Sequence, residues 1–212
     1  MIVKYGNYMN RFPLHRADMF VKNNVGTVEQ RNELIKQALW VKEHEPYFMK
    51  YTNDGCWRST FVYKNFEWFF DELQEVTDEA MQYYKIDDPT YPSKLEQQGE
   101  LDLTYWTNIN EPGSRNVLHS HQAIQYAAVY YLQVEGTGEL ACYNPANLTE
   151  NCHATAPWAS VMTYEPKEGD LLVFPGWVPH DVGPNHSDKQ RINIAFNISF
   201  KVQFLTDGQE DY

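Results

Sequence analysis

Two stretches carry residue types from which a catalytic centre can be built. The first is Val117-Leu118-His119-Ser120-His121. The second runs from Gly169-Asp170-Leu171-Leu172-Val173-Phe174-Pro175-Gly176 through Trp177-Val178-Pro179 to His180, with Arg191-Ile192-Asn193-Ile194-Ala195-Phe196 beyond it. Successive side chains of a strand point to opposite faces, so His119 and His121 share one face, roughly 6.5 Å apart along the backbone, and can serve one metal ion together. His180 follows an apolar run ending in a Pro-Gly turn, where a strand would return one imidazole toward the same interior. If Arg191 faces inward, the same alternation sets Asn193, Ala195 and Asn197 beside it and turns Ile192, Ile194, Phe196, Ile198 and Phe200 to an apolar opposite face. An inward guanidinium needs an anion, and its paired N–H donors match a carboxylate.

From Trp106-Thr107-Asn108-Ile109-Asn110-Glu111-Pro112-Gly113 to the C-terminal strand, these motifs fall in a recognisable order. They are the HxH step, the aromatic Tyr130-Tyr131-Leu132, the Gly169-to-Pro175 run, the distal His180 and the Arg-Ile-x-Ile-x-Phe-Asn ending. In them the chain resembles the 2-oxoglutarate- and iron(II)-dependent oxygenases, particularly a small bacterial and phage subfamily, over about half its length. The resemblance implies a mainly β fold, a double-stranded β-helix or jelly roll of the cupin kind, braced by N-terminal helices. It implies Fe(II) held by His119, His121 and His180, and 2-oxoglutarate bound by Arg191 with Tyr131 and Asn193, while Tyr130 packs outside. The reaction it implies couples oxidative decarboxylation of 2-oxoglutarate by dioxygen to oxidation, usually hydroxylation, of a second substrate. A peptide side chain and a small metabolite both stay open as that substrate. The wider superfamily commonly uses two histidines and a carboxylate. Here a histidine stands at the carboxylate position, with Glu111 and Asp181 as alternative third ligands.

Two other classes fit parts of the pattern. A cupin-type metalloprotein that does not use 2-oxoglutarate would share both histidine motifs but place a glutamate near position 125, where this chain has Gln125, a poorer ligand. A metal-free jelly-roll binding module would make the histidines incidental.

Composition sets the bounds. With 212 residues, 42% hydrophobic and 15% aromatic, and no Gly/Ser/Pro-rich linker, the chain reads as one domain over 1–212. Within it the resemblance implies a helical support region with a leading strand over 1–100 and the jelly-roll core over 101–205. No apolar run is long enough for a membrane helix. A net charge of −12 disfavours general nucleic-acid binding. Cys56, Cys142 and Cys152 are odd in number and lack CxxC spacing, and the polar N-terminus lacks a secretory pattern. Both point to reduced structural thiols in the cytoplasm, which the resemblance implies is that of a bacterial or phage-infected cell.

The elements that must position the site are legible in part. Thr27-Val28-Glu29-Gln30 fits a capping box, and Leu34, Ala38 and Val41 predict a helix to about residue 42. Trp57 to Tyr63 predicts a short strand. Aromatic and aliphatic residues at spacings of three and four predict a second helix over 65–85, followed by a connector over 87–100. From Leu101 the period becomes two. Trp106, Asn108 and Asn110 share a face, and Glu111-Pro112-Gly113-Ser114 predicts a turn. Asp181 is expected to project away from His180, and His15, His44, His153 and His186 to lie on the surface or in packing.

Overall fold

The computed structural model describes residues 3–5, 9–11, 17–45, 51–86, 101–135, 138–143 and 161–200. The expected connector, Cys152, His15 and His153 lie outside them.

The first helix, α1, spans Val28–His44. Its start is fixed by the expected capping box. Thr27 Oγ1 accepts from the Gln30 amide at 3.2 Å and Gln30 Oε1 accepts from the Thr27 amide at 2.7 Å, satisfying two donors that a helix N-terminus leaves unpaired. Leu34, Ala38 and Val41 are its buried stripe. The second helix, α2, spans Glu67–Ile86 and buries Phe69, Leu73, Val76 and Ala80. Complete burial of a side chain the size of Leu or Phe contributes about 1.5–3 kcal/mol, so this aromatic and aliphatic face holds α2 to the sheet.

The strands are β1 (Val3–Tyr5), β2 (Met9–Arg11), β3 (Phe20–Lys22), β4 (Asn53–Ser59), β5 (Leu101–His119), β6 (Tyr126–Gln133), β7 (Leu140–Tyr143), β8 (Val161–Tyr164), β9 (Leu171–Pro175), β10 (His180–Val182) and β11 (Arg191–Phe200). β1 pairs with β2 alone. The others form one sheet in the order β3-β9-β6-β11-β5-β10-β7-β8, with β4 also on β5, and all the pairings are antiparallel.

Two sequence expectations are corrected. The strand expected over 57–63 lies at 53–59. Phe61 and Tyr63 leave the sheet and pack together in a loop as tilted rings, with Tyr63 Oη 2.7 Å from Thr107 Oγ1. The aromatic alternation that suggests a strand there serves packing against Phe66. Likewise Glu111-Pro112-Gly113-Ser114 does not turn the chain. β5 runs on to His119, and Gly113, at φ 81°, sits in an irregularity that glycine tolerates. At that point the partner of β5 changes. Arg191 of β11 pairs with Asn110, the Gly113 amide donates to the Asn185 carbonyl, and Val182 of β10 pairs with Asn116. A single strand therefore serves two layers.

The faces follow period two. Tyr126, Ala128, Tyr130 and Leu132 of β6, Leu171 and Val173 of β9, and Ile192, Ile194, Phe196 and Ile198 of β11 join the helices in the larger core. Ala127 and Tyr131, Leu172 and Phe174 turn the other way and meet Leu140, Cys142 and Val178 in a smaller core. Among the described residues, no helix is long and apolar enough to cross a membrane.

Candidate active site

The smaller core opens into a cleft at the histidines. His119 ends β5 and His180 begins β10, and the two are direct cross-strand partners. His121 follows two residues later, with its amide donating to the Gly176 carbonyl at 2.8 Å. The ligating atoms of the three side chains lie within 4.8 Å of one another. Each ring is tied on its other side. His119 Nδ1 is 2.7 Å from the Val117 carbonyl, His180 Nδ1 is 2.9 Å from the Val178 carbonyl, and His121 Nδ1 is 2.6 Å from Asn197 Oδ1. A carbonyl oxygen only accepts, so each Nδ1 carries the proton and each Nε2 keeps its lone pair for the shared centre.

Burial keeps the rings neutral. It pushes the His180 pKa down to about 3 and that of His121 down to about 4, with the neighbouring His119 adding to both, and lowers that of His119 as well. Neutral imidazoles with convergent Nε2 atoms are the donor set a first-row divalent metal takes. The carboxylates considered as alternatives are occupied elsewhere. Glu111 receives Lys42 Nζ and Gln190 Nε2, and Asp181 receives the Tyr143 hydroxyl at 2.7 Å. Gln125, at the cupin glutamate position, is exposed.

Arg191 faces inward and is 1% exposed. Its Nη1 donates to the Gly183 carbonyl at 3.3 Å, while Nε and Nη2 are buried without a partner. Among the described residues no carboxylate pairs with it, and burial depresses its pKa. A Cβ at Gly138 would lie 1.1 Å from Arg191 Nη1, so the guanidinium occupies space that only glycine leaves there. Tyr131 and Asn193 line the cleft together with Asn108, Thr52, Ala127, Leu140 and Phe174. Asn108 Nδ2 donates to Asn193 Oδ1 at 2.9 Å, and Asn108 Oδ1 is buried and unpaired. Tyr130, on the opposite face, donates to the Val25 carbonyl at 2.7 Å and belongs to the larger core. Cys56 and Cys142 are free and buried, burial raising their pKa values to about 12 and about 11, so both stay protonated thiols.

Of the residues singled out in the sequence, His119, His121, His180, Tyr131 and Asn193 line one cleft, whereas Arg191, on the same strand as Asn193, is buried and is not part of that lining. Sequence reasoning misses the grip of Asn197 on His121, the cradle at Gly138, and Trp106, whose ring is 6.0 Å from that of His121. Period two alone places Asn197 and Trp106 on the inward faces. Nothing local signals Gly138.

Comparison with known proteins finds a family match in sequence and a likeness in fold. Residues 104–197 match the family described as "Putative 2OG-Fe(II) oxygenase". No curated protein matches the sequence. Among solved structures, the chain is similar to a prolyl-4-hydroxylase of Pseudomonas putida, with TM-score 0.59 and 16% identity over 86% of this chain and 92% of that one. It is similar to a Trichoplax adhaerens prolyl hydroxylase solved with a hypoxia inducible factor peptide fragment, with TM-score 0.56 and 13% identity over 85% and 82%. It is also similar to HygX of Streptomyces hygroscopicus, solved with nickel and 2-oxoglutarate, with TM-score 0.52 and 12% identity over 85% and 82%. At such identities the structures show a common fold, the double-stranded β-helix. The sequence match over residues 104–197 adds the chemistry, and through it the chain resembles the 2-oxoglutarate- and Fe(II)-dependent oxygenases and is an enzyme of that class, with Fe(II) and 2-oxoglutarate as its cofactors.

Proposed function

We propose that the protein is a hydroxylase that couples oxidative decarboxylation of 2-oxoglutarate to oxidation of a primary substrate, either a peptide side chain or a small metabolite. In it His119, His121 and His180 hold Fe(II), and Arg191, assisted by Tyr131 and Asn193, holds the distal carboxylate of 2-oxoglutarate. Bound Fe(II) supplies the centre at which a 2-oxo acid and dioxygen react. The observation that carries the proposal is the tethering of every Nδ1 to a protein acceptor in three histidines that each bring a ring nitrogen within 4.8 Å of the others.

The chain's own residues do the positioning. The Val117 and Val178 carbonyls and the Asn197 amide stop the imidazoles from rotating and raise their basicity toward a metal. Three neutral ligands leave the site a formal +2, which a dianion cancels. Arg191 offers two unused buried nitrogens, Nε and Nη2, whose N–H donors match a carboxylate. Ala127, Leu140, Phe174 and Val182 along the wall exclude water and strengthen each polar contact inside. The buried thiols of Cys56 and Cys142 suit a reducing compartment, and we place the enzyme in the cytoplasm.

The test is anaerobic titration of the Fe(II)-loaded protein with 2-oxoglutarate, followed by admission of air and assay of succinate. A weak visible charge-transfer band, a rise in melting temperature and succinate release are expected. Iron loading without any response to 2-oxoglutarate would turn the assignment to a cupin-type metalloprotein.

A further inference from the structure

One further charge stands beside the cleft wall, against Trp106. Arg58 lies on β4 in register with Asn108 of β5, so its side chain rises on the face that carries Trp106 and Asn108. Its guanidinium carbon is 4.1 Å from the centroid of the Trp106 ring and 4.5 Å from that of Tyr51. Its Nε is buried without a partner, and the nearby Asp54 carboxylate is taken by Arg115. The aromatic faces fix the plane of the guanidinium and offset part of its desolvation, yet they leave its N–H edge unused. That edge is close to the histidines. Because the Trp106 ring is 6.0 Å from that of His121, Arg58 Cζ lies within about 10 Å of the His121 ring.

We propose that Arg58 anchors the primary substrate: the molecule oxidised here carries an anionic group, a carboxylate or a phosphate, which Arg58 holds beside Trp106 on the His121 side of the cleft. The proposal rests on the oxygenase assignment and adds a substrate class to it. The two arginines then have separate tasks. Arg191, at 1% exposure, is closed in for the co-substrate, whereas Arg58 is half-buried and reachable once the co-substrate is in place. The separation from His121, at most about 10 Å, limits how far the oxidised carbon can lie from the anionic group. With a net charge of −12 the protein as a whole repels such a substrate, so the attraction is local to this guanidinium and the metal centre.

The experiment follows the side-chain Nε–H resonances of the arginines by nuclear magnetic resonance in the full chain loaded with Zn(II), a diamagnetic stand-in for Fe(II). Arg58→Lys and Arg58→Gln identify one signal, and Arg191→Gln identifies the other. 2-Oxoglutarate is added first, then propionate or methyl phosphate, with sodium chloride at equal ionic strength as control. The expected result is that 2-oxoglutarate moves the Arg191 signal. Propionate, methyl phosphate or both then move the Arg58 signal saturably, at concentrations at least tenfold below any effect of chloride. Which probe saturates tells a carboxylate substrate from a phosphate one. An Arg58 signal that follows neither probe, while Arg191 answers 2-oxoglutarate, overturns this proposal alone. If 2-oxoglutarate moves Arg58 in place of Arg191, the anchor belongs to the co-substrate and the proposal is wrong. If neither arginine responds to any acid, the oxygenase assignment and this inference fall together.

Discussion

Arg191→Met separates a co-substrate anchor from a structural ion pair, because the two roles give opposite signs for the ligand-free protein. Arg191 is 1% exposed, keeps one long hydrogen bond to the Gly183 carbonyl at 3.3 Å, and leaves Nε and Nη2 unpaired. Desolvating a charge this way costs several kcal/mol, and a single hydrogen bond returns about 1 kcal/mol. Methionine removes the charge and fills most of the space, so the ligand-free protein should gain about 1–3 kcal/mol. For a chain of this size that corresponds to a rise of roughly 2–12 °C in melting temperature. The opposite holds for binding. Losing a buried charge-assisted pair with a carboxylate costs about 2–5 kcal/mol, which weakens 2-oxoglutarate roughly 30- to 5,000-fold. Iron affinity should not change. Differential scanning calorimetry without ligand, together with anaerobic spectral titration of the Fe(II) protein, measures both. A variant that melts lower than wild type and binds 2-oxoglutarate equally well would refute the reasoning and assign Arg191 a structural partner.

Gly138→Ala tests the same anchor from the other side. Its Cβ would lie 1.1 Å from Arg191 Nη1, so displacing the guanidinium should weaken 2-oxoglutarate at least tenfold in calorimetry while iron still binds. For the metal centre, His121→Ala should cost iron affinity as heavily as His119→Ala or His180→Ala, with His121→Asp retaining iron. Asn197→Ala, which frees the His121 ring, should lower metal affinity by about 10- to 100-fold in a chelator competition, and full affinity would assign the third ligand elsewhere. With pH, the unfolded histidines titrate near 6.5, whereas His121 and His180 in the fold are held to about 4 and about 3. Below pH 6.5 the unfolded chain takes up protons that the fold refuses. Ligand-free stability, complete above that pH, therefore declines as pH falls toward 4, with His180 alone costing about 2 kcal/mol by pH 5. Denaturant melts that stay flat from pH 7 to 5 would contradict the buried neutral set.

Much of the site is legible in the sequence because strands encode faces locally. Knowing only that Arg191 points inward, period two places Asn193, Ala195 and Asn197 with it and sends Ile192, Ile194 and Phe196 to the helices, as found. The capping box at Thr27 is equally local, and both of its hydrogen bonds form. Where two distant segments decide, local pattern fails. Pro112-Gly113 reads as a turn, but the backbone there is held straight by Asn185, seventy residues on, which supplies the pairing that a turn would otherwise make internally. Aromatic alternation at 57–63 cannot tell a strand from a loop whose rings pack against Phe66 of the second helix's approach. Gly138 and Arg58 matter only through partners on other strands, which no spacing rule reports.

The shared strand β5 has a consequence for how the molecule opens. His119 and His180 face each other across the join where β5 leaves β11 and takes up β10. On one side of that join lies the large helix-backed core, and on the other a small core of few side chains around Leu140, Cys142 and Val178. Amides of β7 and β10 should thus exchange hydrogen through a sub-global opening of lower free energy than those of β6 and β11. A metal ion bound across the join, by His119 on one strand and His180 on the other, closes that opening by mass action, slowing exchange in β7 and β10 by about a hundredfold at a metal concentration of one hundred times its dissociation constant. A metal ion held there would in this sense act as a latch. Chelation should release exchange in those two strands first and leave β6 and the helices protected, so the ion that supplies the chemistry also sets how often the smaller layer swings open.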